Sequence, residues 1–218
     1  MDCDVLILGG GFAGLSCGVA LAKGGAKVLL LEKKPHLGGR AYSFTDTETG
    51  QSVDNGQHLF MGCYRNTRRF LSEIKTDSLL KFSKKIRVDY VDASGLRSVL
   101  NCPEVLGAPL HLAWGVLTLK GLSLGDKLGL RRLDFYMRKV KALSVLPAEL
   151  DKVTVRQWLD GLGQSRRVQE RLFDPIAWGA LNDDPQVAAA IGFVQVMRES
   201  FYHDVESTRF GLSAVGLS

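Results

Sequence analysis

The hydrophobic pattern at the start of the chain predicts a strand, a helix and a second strand. Residues 4–8 (DVLIL) and 27–31 (KVLLL) are short apolar runs, which are typical of buried parallel strands. Between them, residues 14–23 carry apolar side chains at helical spacing, and the glycines at 24 and 25 predict the end of a helix. Together the three segments predict a βαβ unit.

The pattern changes after residue 40, where a hairpin is followed by helices. Residues 64–74 predict a helix, and residues 86–91 and 96–100 flank a polar turn that is typical of a β-hairpin. From residue 109 onward the spacing is mostly helical, with helices predicted over 165–181 and 185–202. Two pairs, Ser123 with Asp126 and Thr154 with Gln157, match the capping boxes that open helices.

These elements predict an α/β fold with two parts. We predict that residues 1–75 form a Rossmann-like dinucleotide-binding βαβ domain and that residues 76–218 form an α+β, mostly helical region. The first domain is incomplete, because a three-layer dinucleotide domain needs more parallel strands than the two visible here. We therefore expect the chain to be the N-terminal portion of a longer protein.

Composition narrows the class of protein. The 218 residues are 45% hydrophobic and 23% charged, with a formal net charge of +5, which is ordinary for a globular protein and does not indicate a nucleic-acid-binding module. The four cysteines form no CxxC pair, so we expect free thiols in a reducing cytoplasm and no metal site. No apolar run reaches the roughly 18 to 20 residues of a membrane-spanning helix.

Gly9, Gly11 and Gly14 form a GxGxxG segment between the first predicted strand and the helix. The first glycine permits a tight turn, the second lets the backbone approach a pyrophosphate, and the third allows close helix–strand packing. The phosphates would lie at the helix N-terminus, beside Phe12 and Ala13, where unpaired N–H groups favour anions. This spacing predicts a dinucleotide site.

Glu32 ends the second predicted strand, where its carboxylate can accept hydrogen bonds from ribose hydroxyls. An acid at this position disfavours the 2′-phosphate of NADP and leaves FAD or NAD. The alternative is a glycine-rich turn without a ligand, which the ordered strand, helix, strand and acid disfavour.

A second glycine pair, Gly38 and Gly39, precedes Arg40. The pair would let the backbone pass close to a cofactor, and Arg40 would place a positive charge near a pyrophosphate, unless it forms a surface ion pair. GGGFAGL, Glu32 and LGGRAYSF together resemble the dinucleotide signature of flavoproteins related to amine oxidases and carotenoid desaturases. The resemblance implies FAD, with Lys33 among the cofactor-binding residues, and it disfavours an NAD-dependent dehydrogenase.

The segment DNGQH, residues 54–58, sharpens this resemblance. These flavoproteins place a similar segment beside the isoalloxazine ring, which implies that Gly56 permits close approach and that Gln57 or His58 faces the ring or the substrate. Asp54 and His58 are the candidate catalytic groups. A structural role is the alternative for both, with Asp54 orienting its loop by accepting hydrogen bonds.

Four segments carry a finer resemblance: VDNGQHLFMGCY (53–64), APLHL with GLSLGDKL (108–128), TVRQWLDGLGQS (154–165) and FDPIAWGALNDDPQVAA (173–189). They resemble the hydroxysqualene dehydroxylase family, also described as squalene-associated FAD-dependent desaturases of hopanoid synthesis. It implies reductive removal of an allylic hydroxyl to give squalene, with Asp183 and Asp184 as more remote proton donors whose alternative role is a helix cap. That family completes its FAD site with a later glycine–aspartate segment, so we expect this chain alone to hold FAD poorly and to be inactive.

Two other functions stay open at this point. A phytoene or carotenoid desaturase, or another amine-oxidase-like flavoenzyme, would carry the same FAD motifs. A non-catalytic prenyl-lipid escort protein of the same fold belongs to a different class, and such proteins typically lack the intact glycine motif, acid and GGR segment.

The resemblance implies that residues 76–218 bind the substrate or face a membrane. Because an isoprenoid substrate is strongly apolar, it also implies contact with a membrane through residues 106–143. Residues 106–119 are apolar and carry Trp114, whereas residues 126–143 mix basic and apolar side chains at helical spacing, which suits an interfacial helix. The equal alternative for the second stretch is a surface helix that packs its apolar stripe on the core. We expect a cytoplasmic protein that reaches the inner face of the cytoplasmic membrane, with its oligomeric state left open.

Overall fold

A computed structural model describes residues 2–56, 58–91, 95 and 97–217 of the chain. Within these residues, no helix is both long enough and apolar enough to cross a bilayer. The helices are α1 (Phe12–Lys23), α2 (Arg65–Glu73), α3 (Leu110–Thr118), α4 (Leu124–Lys141), α5 (Val155–Gly161), α6 (Arg166–Val168), α7 (Asp174–Leu181) and α8 (Ala190–Phe201). The strands are β1 (Val5–Leu8), β2 (Val28–Leu31), β3 (Ser43–Thr45), β4 (Ser52–Asp54), β5 (Phe60–Met61), β6 (Leu80–Phe82), β7 (Ile86–Val91), β8 (Arg97–Cys102) and β9 (Phe210–Ser213).

The contacts within the chain define two compact units. The first comprises Met1–Phe60, Tyr64–Phe82 and Phe210–Ser218, and the second comprises Met61–Cys63 and Ser83–Arg209. The last segment, which begins at Phe210, belongs with the first unit because β9 pairs antiparallel with β6 and places Ser213 opposite Leu80. The domain boundary expected between residues 75 and 76 stays a prediction. By contacts, the chain passes from the first unit to the second after Phe60 and after Phe82, and it returns after Cys63 and after Arg209.

The first unit contains the predicted βαβ arrangement. β1 and β2 pair in parallel, from Val5 opposite Val28 to Leu8 opposite Leu31. α1 connects them and packs closely, since a Cβ built on Gly18 would lie 3.4 Å from Ile7 and 3.8 Å from Val28. The predicted strand–helix–strand order and the parallel pairing are confirmed.

The expectation that both strands are buried is wrong for this chain. Leu6, Leu8 and Leu31 are 51%, 76% and 50% exposed. Side chains alternate between the two faces of a strand, and α1 covers only the face that carries Ile7. The apolar runs therefore predicted the pairing correctly but not the covering of the second face, which parallel strands usually have.

The second unit has a core built mainly from helices. The rings of Trp158 and Phe173 each meet Phe193 edge to face, with centroid distances of 6.1 and 6.2 Å. α4 contributes Leu133, Met137 and Val140, which we call the core stripe and which are at most 4% exposed. This stripe matches the core-packing alternative for the basic helix.

The β7–β8 hairpin forms one side of the second unit. Its strands pair antiparallel from Ile86 opposite Cys102 to Val91 opposite Arg97, which confirms the predicted strands. Residues 92–94 of the predicted turn and residue 96, the first of the second predicted strand, lie outside the described residues. α3 packs on the hairpin and places His111, only 1% exposed, on its inner side.

Both predicted capping boxes are present, because the hydroxyls of Ser123 and Thr154 accept hydrogen bonds from the N–H groups of Asp126 and Gln157. The predicted helix over 165–181 consists of α6, a five-residue π-helix (Gln169–Phe173) and α7. The predicted helix over 185–202 begins later, as α8. The carbonyl of Asp184 accepts hydrogen bonds from the N–H groups at 187 and 188, which closes a turn ahead of it.

A buried ion pair lies beside the π-helix. Arg156 of α5 donates from Nη2 to Asp174 Oδ2 at 2.8 Å and from Nη1 to Gln169 Oε1 at 2.6 Å. Asp174 is only 2% exposed and Gln169 only 1%. Because Arg156 lies in α5 and Asp174 in α7, the pair links the two helices. Removing either charge would leave the other buried without its partner, which destabilises the fold.

Candidate functional site

The two glycine segments contact each other directly. Gly38 donates its N–H to the carbonyl oxygen of Gly10 at 2.8 Å, and Gly38 and Gly11 form an isolated parallel bridge. A Cβ built on Gly39 would lie 3.1 Å from the Cα of Gly11. Gly38 and Gly39 have φ of +95° and +69°, a region that favours glycine. The sequence predicted that both segments face one cofactor, and the structure joins them into one loop pair.

The N-terminus of α1 is open in the manner that a phosphate site requires. Gly11 is the N-cap, no side chain caps the helix, and the first turn carries no acidic residue. Gly14 packs so tightly that a Cβ there would overlap the carbonyl oxygen of Gly9. Uncapped N–H groups and the helix dipole favour an anion at this point, and Phe12 and Ala13 lie in the same first turn.

Glu32 follows β2 and lies against the first glycine loop. Its Oε1 accepts a hydrogen bond from the Lys34 N–H at 2.9 Å, and its Oε2 accepts one from the Gly10 N–H at 2.6 Å. These donors, Lys34 before Gly10, with a smaller contribution from the Lys33 N–H, hold the pKa of the Glu32 carboxyl below its ordinary value. The carboxylate is therefore charged and oriented, and it keeps free lone pairs for hydroxyl donors such as those of a ribose.

Arg40 is exposed at the end of the second glycine segment, and its carbonyl oxygen accepts a hydrogen bond from Asn55 Nδ2 at 3.3 Å. This contact connects the GGR segment to the DNGQH segment. The guanidinium of Arg40 has the charge that a pyrophosphate needs, and its role there stays a prediction.

Asp54 and His58 each make a local hydrogen bond. Ser43 donates its hydroxyl to Asp54 Oδ1 at 2.6 Å, and the same Ser43 oxygen accepts the N–H of Leu217 at 2.6 Å. The Nδ1 atom of His58 lies 2.7 Å from the carbonyl oxygen of Gly56. Among the described residues Asp54 accepts the hydroxyl of Ser43. The catalytic roles of Asp54 and His58, and the alternative in which Asp54 orients its loop, stay predictions.

Gly56 and Gln57 are the other predicted cofactor-binding residues of this segment. Gly56 has φ of +99°, and a Cβ built on it would meet no atom within 4 Å, so the backbone there is open to a ligand. Gln57 lies outside the described residues.

A cavity of about 680 Å³ in the first unit was not predicted from the sequence. Its walls are mostly apolar, with Gly38 at one side. The nearest sequence signal is the helical spacing of Phe70 in α2 and Ile74 directly after it, and this spacing also predicts an ordinary core contact. Six lining residues come from three separate segments: Phe12, Leu15, Phe70, Ile74, Val215 and Leu217.

The geometry defines a dinucleotide-binding class of protein, and comparison with known proteins identifies the family. The family described as "Flavin containing amine oxidoreductase" matches residues 12–214. The chain therefore belongs to the flavin-containing amine oxidoreductase family. The cofactor is FAD, as the second glycine segment predicted.

Two relatives are carotenoid desaturases. The chain is 29% identical over 189 residues to the zeta-carotene desaturase of Zea mays, covering 80% of this chain and 31% of the relative. It is 29% identical over 180 residues to the 15-cis-phytoene desaturase of Arabidopsis thaliana, covering 78% and 30%. The chain thus spans about a third of the length of these relatives.

A solved structure covers the whole chain. Cyclohexylamine oxidase from Brevibacterium oxydans IH-35A superposes with a TM-score of 0.66 at 26% identity, over 100% of this chain and 47% of that protein. The chain thus belongs to a family of flavin-containing oxidoreductases, has the fold of an amine oxidase, and has carotene and phytoene desaturases among its relatives.

Proposed function

We propose that the whole protein is an FAD-dependent oxidoreductase of isoprenoid synthesis that reductively dehydroxylates hydroxysqualene to squalene. In this proposal the βαβ unit of the first unit is a Rossmann-like FAD-binding module. The second unit contributes to binding an apolar isoprenoid.

The observation that carries FAD binding is the joined pair of glycine segments at the open end of α1. The N–H groups of the first turn and the charge of Arg40 would hold the pyrophosphate. The oriented carboxylate of Glu32 would accept hydrogen bonds from the ribose. These residues fit FAD, since they offer donors to phosphates and acceptors to hydroxyls. When bound, FAD supplies two-electron redox chemistry.

The choice of substrate rests on the resemblance carried by residues 53–64, 108–128, 154–165 and 173–189. In the proposed reaction the substrate C–O bond breaks, the hydroxyl leaves with a proton as water, and a C–H bond forms with two electrons and a second proton from the reduced cofactor. The chain must hold that first proton close to the leaving oxygen, because hydroxide is a poor leaving group. His58 and Asp54 are the proposed donors.

Asp183 and Asp184 are less suited to that role. Asp183 Oδ1 accepts the N–H of Asp184 at 2.8 Å, and Asp184 Oδ1 accepts the N–H of Gln186 at 2.8 Å. Both carboxylates are thereby engaged in shaping the turn ahead of α8. These contacts support a structural role for Asp183 and Asp184. The two carboxylates shape a turn, whereas the sequence predicted that they cap a helix.

The second candidate function is desaturation of a carotenoid precursor, which the 29% identity to two carotenoid desaturases favours. This chemistry runs in the oxidative direction on a similarly apolar chain. The contacts that would hold FAD are common to both reactions and do not distinguish them.

Product analysis separates these functions. The whole protein, loaded with FAD and reduced anaerobically, is incubated with hydroxysqualene, and the protein with oxidised FAD is incubated with phytoene or zeta-carotene. Squalene from the first incubation supports the proposal, and more unsaturated polyenes from the second support desaturation. A colourless protein that binds prenyl lipid without turnover would instead favour an escort function.

The proton donors are tested in the same assay. His58→Gln and Asp54→Asn should lower squalene formation while leaving the bound FAD per protein unchanged, because both residues are proposed to act on the leaving hydroxyl. A fall in FAD content that accounts for the lost activity would assign the residue to cofactor binding instead.

A further inference from the structure

α4 carries a second apolar stripe in addition to the core stripe. Leu124, Leu128 and Phe135 are 72%, 54% and 62% exposed. At about 100° per residue, these three side chains fall within about 40° of the helix circumference, on the side opposite the core stripe. One stripe is enough to pack a surface helix, so folding of the second unit does not explain the other.

α3 carries an exposed apolar stripe of its own. Leu110, Trp114 and Leu117 are 57%, 53% and 58% exposed and share one side of the helix, while its buried residues lie on the other side. Lys127 of α4 donates from Nζ to the carbonyl oxygen of Leu117 at 2.6 Å, which joins the two helices at this point. We call the six exposed side chains the outer face: Leu110, Trp114, Leu117, Leu124, Leu128 and Phe135.

The outer face is bordered by positive charge. α4 contains six basic and two acidic residues. By helical position, Lys127 and Arg131 lie along one side of its exposed stripe, and Arg132 and Lys139 lie along the other. The Nζ atom of Lys139 stands 4.4 Å from the ring centroid of Phe135. An apolar stripe between rows of lysine and arginine therefore runs along the helix.

The two acidic residues of α4 are both engaged locally. Asp134 accepts a hydrogen bond from Arg138 at 2.8 Å. Asp126 belongs to the capping box with Ser123 and also accepts the hydroxyl of Ser165. Neither carboxylate offsets the basic rows as a whole, so the surface is suited to an anionic partner.

We propose that the outer face docks on an anionic lipid bilayer, with α3 and α4 lying in the plane of the interface. The proposal rests on this surface and not on the proposed reaction. Charge complementarity selects the occupant: a lipid surface supplies apolar chains and negative headgroups together, whereas a second copy of this chain placed symmetrically would oppose two basic surfaces. Trp114 is of the residue type that is enriched at the headgroup level of membranes.

Vesicle sedimentation tests the proposal. The chain is mixed with vesicles of phosphatidylcholine containing phosphatidylglycerol, and with vesicles of phosphatidylcholine alone. We expect binding to the anionic vesicles that falls as salt is raised, because surface charges are screened. The double variant Leu128→Ser/Phe135→Ser should lower the partition coefficient at least about tenfold, since it removes two apolar side chains from the contact.

Val187→Ser is the matched control, because Val187 is 66% exposed but lies in the turn ahead of α8. It should bind vesicles as the unmodified chain does. All substituted side chains are exposed, so circular dichroism should show the same fold in each variant, and a difference in sedimentation then reports the surface.

A fluorescence measurement locates the contact independently. In Trp178→Phe, Trp114 is the exposed tryptophan, since Trp158 is only 7% exposed. Its emission should shift to shorter wavelength on anionic vesicles and be quenched by brominated lipid. Equal sedimentation of the chain and the double variant, indifference to phosphatidylglycerol, or a dimer that the double variant abolishes in place of lipid binding would each overturn the proposal.

Discussion

Replacing Gly14 by alanine should force α1 away from the first glycine loop. A Cβ at this position would overlap the carbonyl oxygen of Gly9 and lie 3.3 Å from Ile7 Cγ2. The overlapped atom is backbone and cannot rotate away as a side chain can. Relief therefore requires a shift of the helix, which would also displace the N–H groups proposed to face the pyrophosphate.

The net effect combines two opposing terms. Overpacking costs about 1–3 kcal/mol, and a clash with backbone belongs at the upper end of that range. Alanine in place of a helical glycine returns about 1 kcal/mol. Gly14→Ala should therefore lower the local free energy of unfolding by about 2 kcal/mol, which corresponds to an opening equilibrium raised roughly 30-fold.

Gly18→Ala is the matched control, one helical turn further along α1. A Cβ at Gly18 would lie 3.4 Å from Ile7 Cδ1 and 3.8 Å from Val28 Cγ1, which are ordinary van der Waals distances. With no clash to relieve, the gain in helix propensity remains, and the local stability should rise by about 0.5–1 kcal/mol.

Hydrogen exchange over residues 2–31 measures the effect locally. The tryptophans lie at 114, 158 and 178, so intrinsic fluorescence serves as the separate probe of the second unit and should not change. FAD content after gel filtration of the whole protein should fall in Gly14→Ala and hold in Gly18→Ala. If both variants shift exchange in the same direction, or Gly14→Ala is as protected as the unmodified chain, the packing argument is refuted.

Three further predictions concern charge. Glu32→Gln should raise the FAD dissociation constant of the whole protein about tenfold, because a charged hydrogen-bond acceptor is worth more than a neutral one; flavin fluorescence titration measures it. Asp174→Ala should destabilise the second unit by about 3–5 kcal/mol, since Arg156 is left charged and buried, as urea unfolding followed by tryptophan fluorescence will record. Burial lowers the pKa of His111 below its ordinary value of 6.5. Between the lowered pKa and pH 6.5, the imidazole is therefore protonated in the unfolded chain and neutral in the folded chain. Unfolding free energy should then rise with pH between that lowered pKa and 6.5 and level off above it, and this slope should vanish in His111→Leu.

The local features of the FAD segment could be predicted from sequence alone. Glycine spacing, an apolar run on each side and an acid after the second run act within about thirty residues, so the βαβ order and the place of Glu32 follow from short-range rules. The capping boxes at Ser123 and Thr154 were predictable for the same reason, since each involves residues three apart.

Predictions failed or stopped where a contact partner lies far away in the chain. Leu6 and Leu8 carry the pattern of a buried strand, yet their exposure depends on whether another element covers that face. Asp54 accepts a hydrogen bond from the Ser43 hydroxyl, and the Ser43 oxygen accepts one from the N–H of Leu217. No local residue spacing predicts these two hydrogen bonds.

Local rules acting on the amino-acid sequence were enough to predict the dinucleotide motif, the parallel strand pair and the basic amphipathic character of α4. Long-range contacts determine that Gly38 bonds to Gly10, that β9 pairs with β6, and that α4 has one stripe in the core and another in solvent. The two groups of features differ in how far apart in the chain the interacting residues lie. Backbone conformation and helix periodicity are set by neighbouring residues, whereas burial depends on which distant surfaces meet. The local sequence therefore does not distinguish a leucine in the core from a leucine in solvent.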